Sequence, residues 1–337
     1  MFSRFKKPVY VGDLYKNTGP SNVNRAYYKY LCEQMIFTHQ QSRLPSVPEL
    51  IFKVICASAV VVSGIGYKNL LAVKLGALLK KPVFYLMHGC YEYEYHINRL
   101  VPNQRTVHLE KLIMEKTTRI ICVSERFSQW VGLQYPQYTA KLDFINNGIE
   151  WNDLLREEND PGLRNPEQIV TMGGGRPQKN NLMISQAVEL LNSAQKQTFQ
   201  LIVLGRDGED TDALRQNPHT SVVGQVDRDE AKKYLKGAGL YVQNSTFESF
   251  GLGVIEALGQ GCSILVSQNV GALSIMPGME EQDIINDCTD INEIAKKILY
   301  LSRHGNNERI LNHMDKAATS MKTSADRLYD MITERLI

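Results

Sequence analysis

The sequence predicts an α/β protein built from two halves, each a parallel sheet with helices on both faces. Short apolar runs of strand length alternate with helix-patterned segments along the chain. That alternation is interrupted once, by residues rich in charge, proline and asparagine, and then begins again. The length of 337 residues also exceeds the size at which one hydrophobic core keeps growing, which favours two domains with a cleft between them.

Composition narrows the function classes. The chain is 43% hydrophobic and 22% charged, with a formal net charge of +2. That is too near neutrality for wholesale nucleic-acid binding, so polynucleotide partners are set aside. Six cysteines, at positions 32, 56, 90, 122, 262 and 288, form no C-x-x-C pair and no metal-finger spacing. Reduced thiols in a reducing compartment, the cytoplasm, are the expectation. No stretch reaches the ~18 apolar residues of a membrane span, and the apolar run after the basic amino terminus is too short for a signal peptide. Arg4, Lys6 and Lys7 with Phe2 and Phe5 suit a peripheral contact with an anionic lipid surface, which would place the protein at the inner face of the plasma membrane.

In the first half, residues 9–12 read as a buried strand. The turn after it carries Gly19 and Ser21 before a helix over about 23–35, capped by Ser21 or Asn22. Gly12 and Gly19 are not spaced as G-x-G-x-x-G. The turn reads equally as a plain strand-to-helix connection or as an acceptor-contacting loop around Gly19 and Ser21. Strands follow at 58–63, 82–87 and 119–123, with helices near 69–79 and 107–116. Ligands of such sheets gather at the carboxyl ends of strands, where His88 and Ser124 fall. His88 is the candidate to follow, a structural turn histidine being the alternative. Tyr91 and Tyr93, in the run Tyr91-Glu-Tyr-Glu-Tyr-His96, offer faces for sugar stacking or belong to a half-buried surface loop. Glu92, Glu94 and His96 lack the context of a metal motif.

Residues 150–166 carry the linker composition, and the second half opens with a strand at 168–172. Gly173-Gly-Gly-Arg-Pro-Gln-Lys-Asn180 follows it. Three glycines let the backbone approach a ligand, and Arg176 and Lys179 supply the charge a diphosphate needs; the other reading makes them solvent-facing loop charges. Strands at 200–204 and 221–223 come next. The D-x-D pairs at 210–212 and 227–229 each precede a helical stretch and read as caps rather than metal ligands.

The stretch from Asn244 to Cys262 organises this half. A strand at 240–243 ends in a loop carrying Glu248, and Gly251 and Gly253 flank the start of a helix over 252–258. First-turn N–H groups there have no internal partner and can face an anion. Glu256 lies about one turn inside that helix, so it and Glu248 approach a ligand from different sides. On local grounds this is a nucleotide-sugar site. Helical patterns at 291–301, 308–317 and 325–336 complete the chain, the last placed to extend back across the first domain. The expected boundaries are a first domain at 1–150, a linker at 151–166, a second domain at 167–317 and a C-terminal helix at 318–337.

Taken together, Phe144-Ile-Asn-Asn-Gly-Ile149, Gly175-Arg-Pro-Gln-Lys179 and Glu248-Ser-Phe-Gly-Leu-Gly-Val-Ile-Glu256 resemble the successive signatures of the GT-B fold, retaining glycosyltransferases of family 4, also called glycosyltransferase group 1. The E-x7-E element with its internal Phe-Gly is the specific part. The resemblance is strongest over residues 145–266 and weak before His88. It implies two Rossmann-like domains facing across a cleft. It also implies a retaining, metal-independent transfer from a nucleotide-diphosphate sugar, a UDP-sugar foremost, to a glycan or a polyprenyl-diphosphate-linked oligosaccharide in bacterial surface polysaccharide synthesis.

By the same resemblance, Arg176 and Lys179 bind the donor diphosphate beside Gly175, with Phe250, Gly251 and Leu252 completing the donor site through backbone amides near Gly251. Glu248 contacts the transferred sugar, Glu256 binds the ribose hydroxyls and His88 reaches the sugar. His88, Arg176, Lys179 and Glu248 form the implied catalytic set, with no metal or other cofactor. The interval from Arg176 to Lys179 is shorter than the family's usual spacing. A nucleotide-sugar epimerase or a glucan phosphorylase of the same fold, and a catalytically silent sugar-binding subunit, are the competing functions.

Overall fold

The structure, a computed structural model, describes residues 7–16, 18–38, 46–155, 164–195 and 198–334. Twelve strands in the described residues form two six-stranded sheets in which every strand pair is parallel. The first holds β1 (Val9–Val11), β2 (Ile36–Phe37), β3 (Val60–Ser63), β4 (Val83–Met87), β5 (Arg119–Cys122) and β6 (Leu142–Phe144), in the order β2-β1-β3-β4-β5-β6. The second holds β7 (Asn165–Met172), β8 (Gln200–Leu204), β9 (Thr220–Gly224), β10 (Ala238–Gln243), β11 (Ser263–Ser267) and β12 (Ile284–Ile285), in the order β12-β11-β10-β7-β8-β9. The sequences of β3, β4 and β11 are nearly continuous apolar runs buried along their whole length, as strands covered on both faces require.

The chain divides into two compact units. One comprises residues 1–93, 101–149 and 316–337, the other residues 94–100 and 150–315. The assignment of 94–100 to the second unit has no counterpart in the sequence reading. In the first unit, helix Met321–Thr333 is tied to the turn after β6: Met321 N–H donates to Ile149 O at 3.0 Å and Ser324 Oγ to Asn146 O at 2.9 Å. Gly148 is required there, since a Cβ would lie 2.4 Å from Met321 Cα. In the second unit, helices Asn181–Gln195 and Ile291–Arg303 cover a core of Ile169, Leu201, Val203, Leu240 and Val242.

Several local expectations change. The first helix runs Gly19–Leu31 rather than over 23–35 and is capped by Thr18, because Pro20, its φ already helical, starts it early. Residues 91–97, read as an irregular loop, are a helix, Tyr91–Ile97. Residues 151–154 of the expected linker form a short helix, Trp151–Leu154, whose two named end residues are buried in the second unit, with Leu154 against Gly259. The expected linker also ends early, since Asn165 and Pro166 already belong to β7; its residues 156–163 lie outside the described residues, as do Phe2, Arg4, Phe5 and Lys6. No described helix is long and apolar enough to cross a membrane.

Strand order reverses once in each sheet, beside β1 in the first and beside β7 in the second. The crevice at such a reversal, at the carboxyl ends of the strands, is where open α/β sheets bind ligands. In the second unit it falls between residue 173 and residue 244. In the first it falls between residues 12 and 64.

Candidate active site

At the end of β7 the backbone turns through Gly173 (φ +114°) and Gly174 (φ +63°), conformations that side chains rarely adopt. The space a Cβ would need is already filled. A Cβ on Gly174 would meet Arg206 O at 1.8 Å, and one on Gly175 would meet Thr211 Oγ1 at 2.1 Å. The glycines therefore let this loop close on residues 205–211, with Gly175 N–H donating to Arg206 O at 3.2 Å and Asp210 N–H to Gly175 O at 2.9 Å. The expectation that they clear room for a ligand is corrected for Gly174 and Gly175.

Arg176 leaves this turn exposed, its Nε donating to Gly173 O at 3.1 Å. Lys179, at the end of the short helical turn Pro177–Lys179, folds back over Gly173 and forms an ion pair with Glu248. Gln243, the last residue of β10, donates to the same carboxylate oxygen at 3.0 Å. Gln178 fastens the two loops together. Its carbonyl accepts from Thr246 N–H at 3.0 Å and its side-chain amide donates to Phe247 O at 2.9 Å. Asn98, from the 94–100 segment, pairs with Gln178 twice, accepting from its N–H at 3.1 Å and donating to its Oε1 at 3.0 Å.

Helix Leu252–Gly259 starts at Gly251 (φ +100°), which has no side chain with which to cap the first turn. Its leading N–H groups and dipole therefore offer positive potential beside Glu248 and Lys179. Phe250 is buried, its carbonyl accepting from Ala272 N–H at 2.7 Å, and Gly253 packs on the Tyr241 hydroxyl. Glu256, one turn further in, has Arg228 Nε 3.8 Å away. Burial raises its pKa, an effect that Arg228 and Lys232 oppose.

In the first unit, His88 follows β4 and its Nε2 lies 2.9 Å from Ser63 Oγ. The protons of this cluster can be counted. Asn24 Nδ2 donates to Asp13 O at 2.9 Å, so its Oδ1 is the acceptor, receiving Tyr10 OH at 2.6 Å and Ser63 Oγ at 2.7 Å. Ser63 has spent its one proton and can only accept from His88. His88 is therefore the tautomer protonated on Nε2, with Nδ1 an acceptor, and burial lowers its pKa to about 4, so the ring is neutral near pH 7.

The other candidates have structural partners. Ser124 caps helix Glu125–Gln134, accepting from Phe127 N–H at 3.0 Å. Ser21 is buried in the first turn of its helix, 3.0 Å from the Thr18 hydroxyl, while Gly19 is exposed. Tyr93 packs on Trp130 with ring centroids 4.7 Å apart, and Tyr91 OH accepts from Asn103 N–H at 3.3 Å. Asp227 caps its helix through Glu230 N–H at 2.8 Å. Asp210 makes no side-chain cap and lies 3.9 Å from Arg99, while Asp212 stands in the first turn of the helix, where its charge meets the helix dipole. Among the described residues no three His, Cys, Asp or Glu side chains gather as a metal site.

Residues 156–321 match the family model for glycosyl transferases group 1. That stretch, just under half of the chain, is similar to glycosyl transferases group 1. Over 176 residues it is 23% identical to a probable sucrose-phosphate synthase of Thermosipho melanesiensis, a match covering 49% of this chain and 41% of that protein. The chain thus spans less than half the length of that curated relative. Among solved structures it resembles a sucrose-phosphate synthase from Thermosynechococcus elongatus, with a TM-score of 0.71 at 17% identity, covering 98% of this chain and 99% of that one. It also resembles Anabaena HepE in complex with UDP-glucose, with a TM-score of 0.69 at 14% identity and coverages of 98% and 99%. These likenesses show that the chain shares the two-sheet α/β fold of those structures.

Within residues 156–321, Lys179, Glu248 and the start of helix Leu252–Gly259 lie together, with Arg176 at the edge of the same loop. His88 lies outside the matched residues. Sequence reasoning missed Gln178 and Asn98, and also Tyr10, Asn24 and Ser63. Ser63 did stand at a strand end, the position that singled out His88, but nothing in its neighbours pointed to Asn24, 39 residues away.

Proposed function

We propose that the protein transfers a sugar from a nucleoside-diphosphate sugar to an acceptor hydroxyl, with retention at the anomeric carbon and without a divalent metal. The observation that carries this reading is the convergence of Lys179 and Glu248 at the strand-order reversal, beside the uncapped N-terminus of helix Leu252–Gly259. The bond from the anomeric carbon to the diphosphate breaks and the acceptor oxygen bonds to that carbon from the same face. The acceptor's proton leaves to the departing phosphate. Negative charge grows on that phosphate, where Arg176, Lys179 and the first-turn amides stabilise it without reorganising. Glu248 orients the transferred sugar and Glu256 holds the ribose hydroxyls. Gly251 and Leu252 contribute backbone to the donor site, beside the buried Phe250. His88, with Nδ1 as acceptor, takes a substrate hydroxyl.

A UDP-sugar is the proposed donor, a choice supported by the likeness to HepE, whose structure holds UDP-glucose. The proposed acceptor is a glycan or a polyprenyl-diphosphate-linked oligosaccharide of surface polysaccharide synthesis, on the family resemblance. Thermal-shift titration with UDP-, GDP- and ADP-sugars tests the donor, since selective binding raises the melting temperature by mass action. Anomeric analysis of the product, with and without EDTA, tests the rest. Conversion of a nucleotide sugar with no acceptor present would make the protein an epimerase, and donor binding without any conversion would make it a silent subunit.

A further inference from the structure

Helix Val47–Cys56 is patterned the wrong way round for a surface helix. Leu50 and Val54 are buried. On the opposite side, where charged and polar residues belong, stand Pro48, Phe52 and Ile55, with Phe52 68% and Ile55 48% exposed. The helix's charged residues, Glu49 and Lys53, bind each other at 2.9 Å. Helix Tyr67–Leu78 packs alongside and ends in two further exposed apolar residues, Leu78, 77% exposed, and Leu79. Lys81 fixes the two ends together, its ammonium donating to Val54 O, Ile55 O and Ala57 O at 2.6–2.7 Å. Single exposed apolar side chains are ordinary, whereas a face of four large ones on two adjoining helices marks a contact surface.

Charge identifies the partner. Between residues 46 and 82 the chain has five lysines, 53, 68, 74, 80 and 81, against the single acid Glu49. A second copy of this chain fits poorly, because a two-fold contact would set these lysines against themselves. We propose that this face docks on an anionic lipid bilayer, with Phe52, Ile55, Leu78 and Leu79 at the acyl boundary and the exposed Lys74 and Lys80 among the headgroups. The surface belongs wholly to the first unit, and its occupancy requires neither donor nor acceptor, so the proposal stands apart from the transfer reading.

The test is co-sedimentation of the full chain with phosphatidylcholine vesicles, with and without phosphatidylglycerol. Binding should need phosphatidylglycerol and weaken as salt rises. The paired substitution Phe52→Ser and Leu78→Ser should lower binding about tenfold or more, and Lys74→Glu with Lys80→Glu should remove most of the salt-sensitive part. Leu133→Ser, at an exposed leucine outside this face, should leave binding unchanged. All five side chains point outward, so melting temperatures should hold. The proposal is overturned if the anionic vesicles do not bind the chain, or if binding survives both paired substitutions but not removal of residues 1–6. It is equally overturned if ultracentrifugation shows a dimer that Phe52→Ser dissolves.

Discussion

Ser63 accepts the Nε2 proton of His88 across 2.9 Å, because its own proton is committed to Asn24. That pairing fixes which ring nitrogen can receive a substrate hydroxyl. With 15N-labelled histidine, the His88 resonances, identified by their loss in His88→Gln, should show the Nε2-protonated form. In Ser63→Ala that preference should weaken, and transfer should fall through kcat more than KM. A wild-type ring protonated on Nδ1 would refute the proton count.

The same burial makes His88 a source of acid lability. Its folded pKa, about 4, lies below the ordinary imidazole value of 6.5, so the unfolded chain binds the extra proton first. Stability is unaffected above pH 6.5 and declines as pH falls from there towards 4, by at most about 3 kcal/mol. Urea denaturation at steps from pH 7.5 to 4.5 should show a shallower acid decline in His88→Gln than in the wild type. Parallel curves would mean that the ring is better solvated than its surroundings indicate.

Lys179 and Glu248 hold each other with side chains only 12% and 15% exposed, so removing either leaves a largely desolvated charge. Lys179→Ala should weaken UDP binding about tenfold or more, the worth of a charge-assisted hydrogen bond to a phosphate. Glu248→Ala should lower turnover while nucleotide binding persists, because that carboxylate is assigned to the sugar. Calorimetric titration with UDP beside initial-rate measurements separates the two effects. Full transfer activity in Glu248→Ala would remove it from the proposed set.

The loop glycines give a test of stability rather than chemistry. Gly174→Ala combines a positive φ with a Cβ 1.8 Å from Arg206 O and should cost more than about 2 kcal/mol. Gly251→Ala, at φ +100° and with Val270 Cγ1 2.8 Å from the new Cβ, should cost about 1–2 kcal/mol. Chemical denaturation measures both. Wild-type stability in Gly174→Ala would mean that the two loops separate easily.

Both sheets were legible because parallel strands leave continuous apolar runs such as Val60-Val-Val62 and Phe84-Tyr-Leu-Met87, whose pattern needs no tertiary knowledge. The two loops that meet at Lys179 and Glu248 stood out because Gly173-Gly-Gly175 and the span from Glu248 to Glu256 concentrate rare residue types over short spacings. What stayed hidden depends on contacts distant in sequence. Tyr91–Ile97 folds as a helix with Tyr93 against Trp130, and the link from Asn24 to Ser63 exists only once β1 and β3 pair. Even at the glycines, residue type was readable but its reason was not, since the atoms that crowd them come from residues 205–211.

Gln178 and Asn98 carry the last prediction. Both are buried, at 5% and 8% exposure, and their paired amides join a segment far upstream to the two loops that hold Lys179 and Glu248. Truncating Asn98 to alanine leaves the N–H and Oε1 of Gln178 without that partner, a loss of about 1–3 kcal/mol for each buried group. Neither residue is placed on the donor, so the effect on function should arise through loop position. Asn98→Ala should speed amide hydrogen exchange across residues 173–180 and 244–250 together and raise the donor's KM, with a smaller change in kcat at saturation. Asn98→Asp keeps the acceptor for Gln178 N–H but loses the donor to Oε1, so it should fall between the wild type and alanine. If exchange quickened around residue 98 alone, with KM unchanged, the pair would be a local packing contact and the two loops would be held by Thr246 and Phe247 without it.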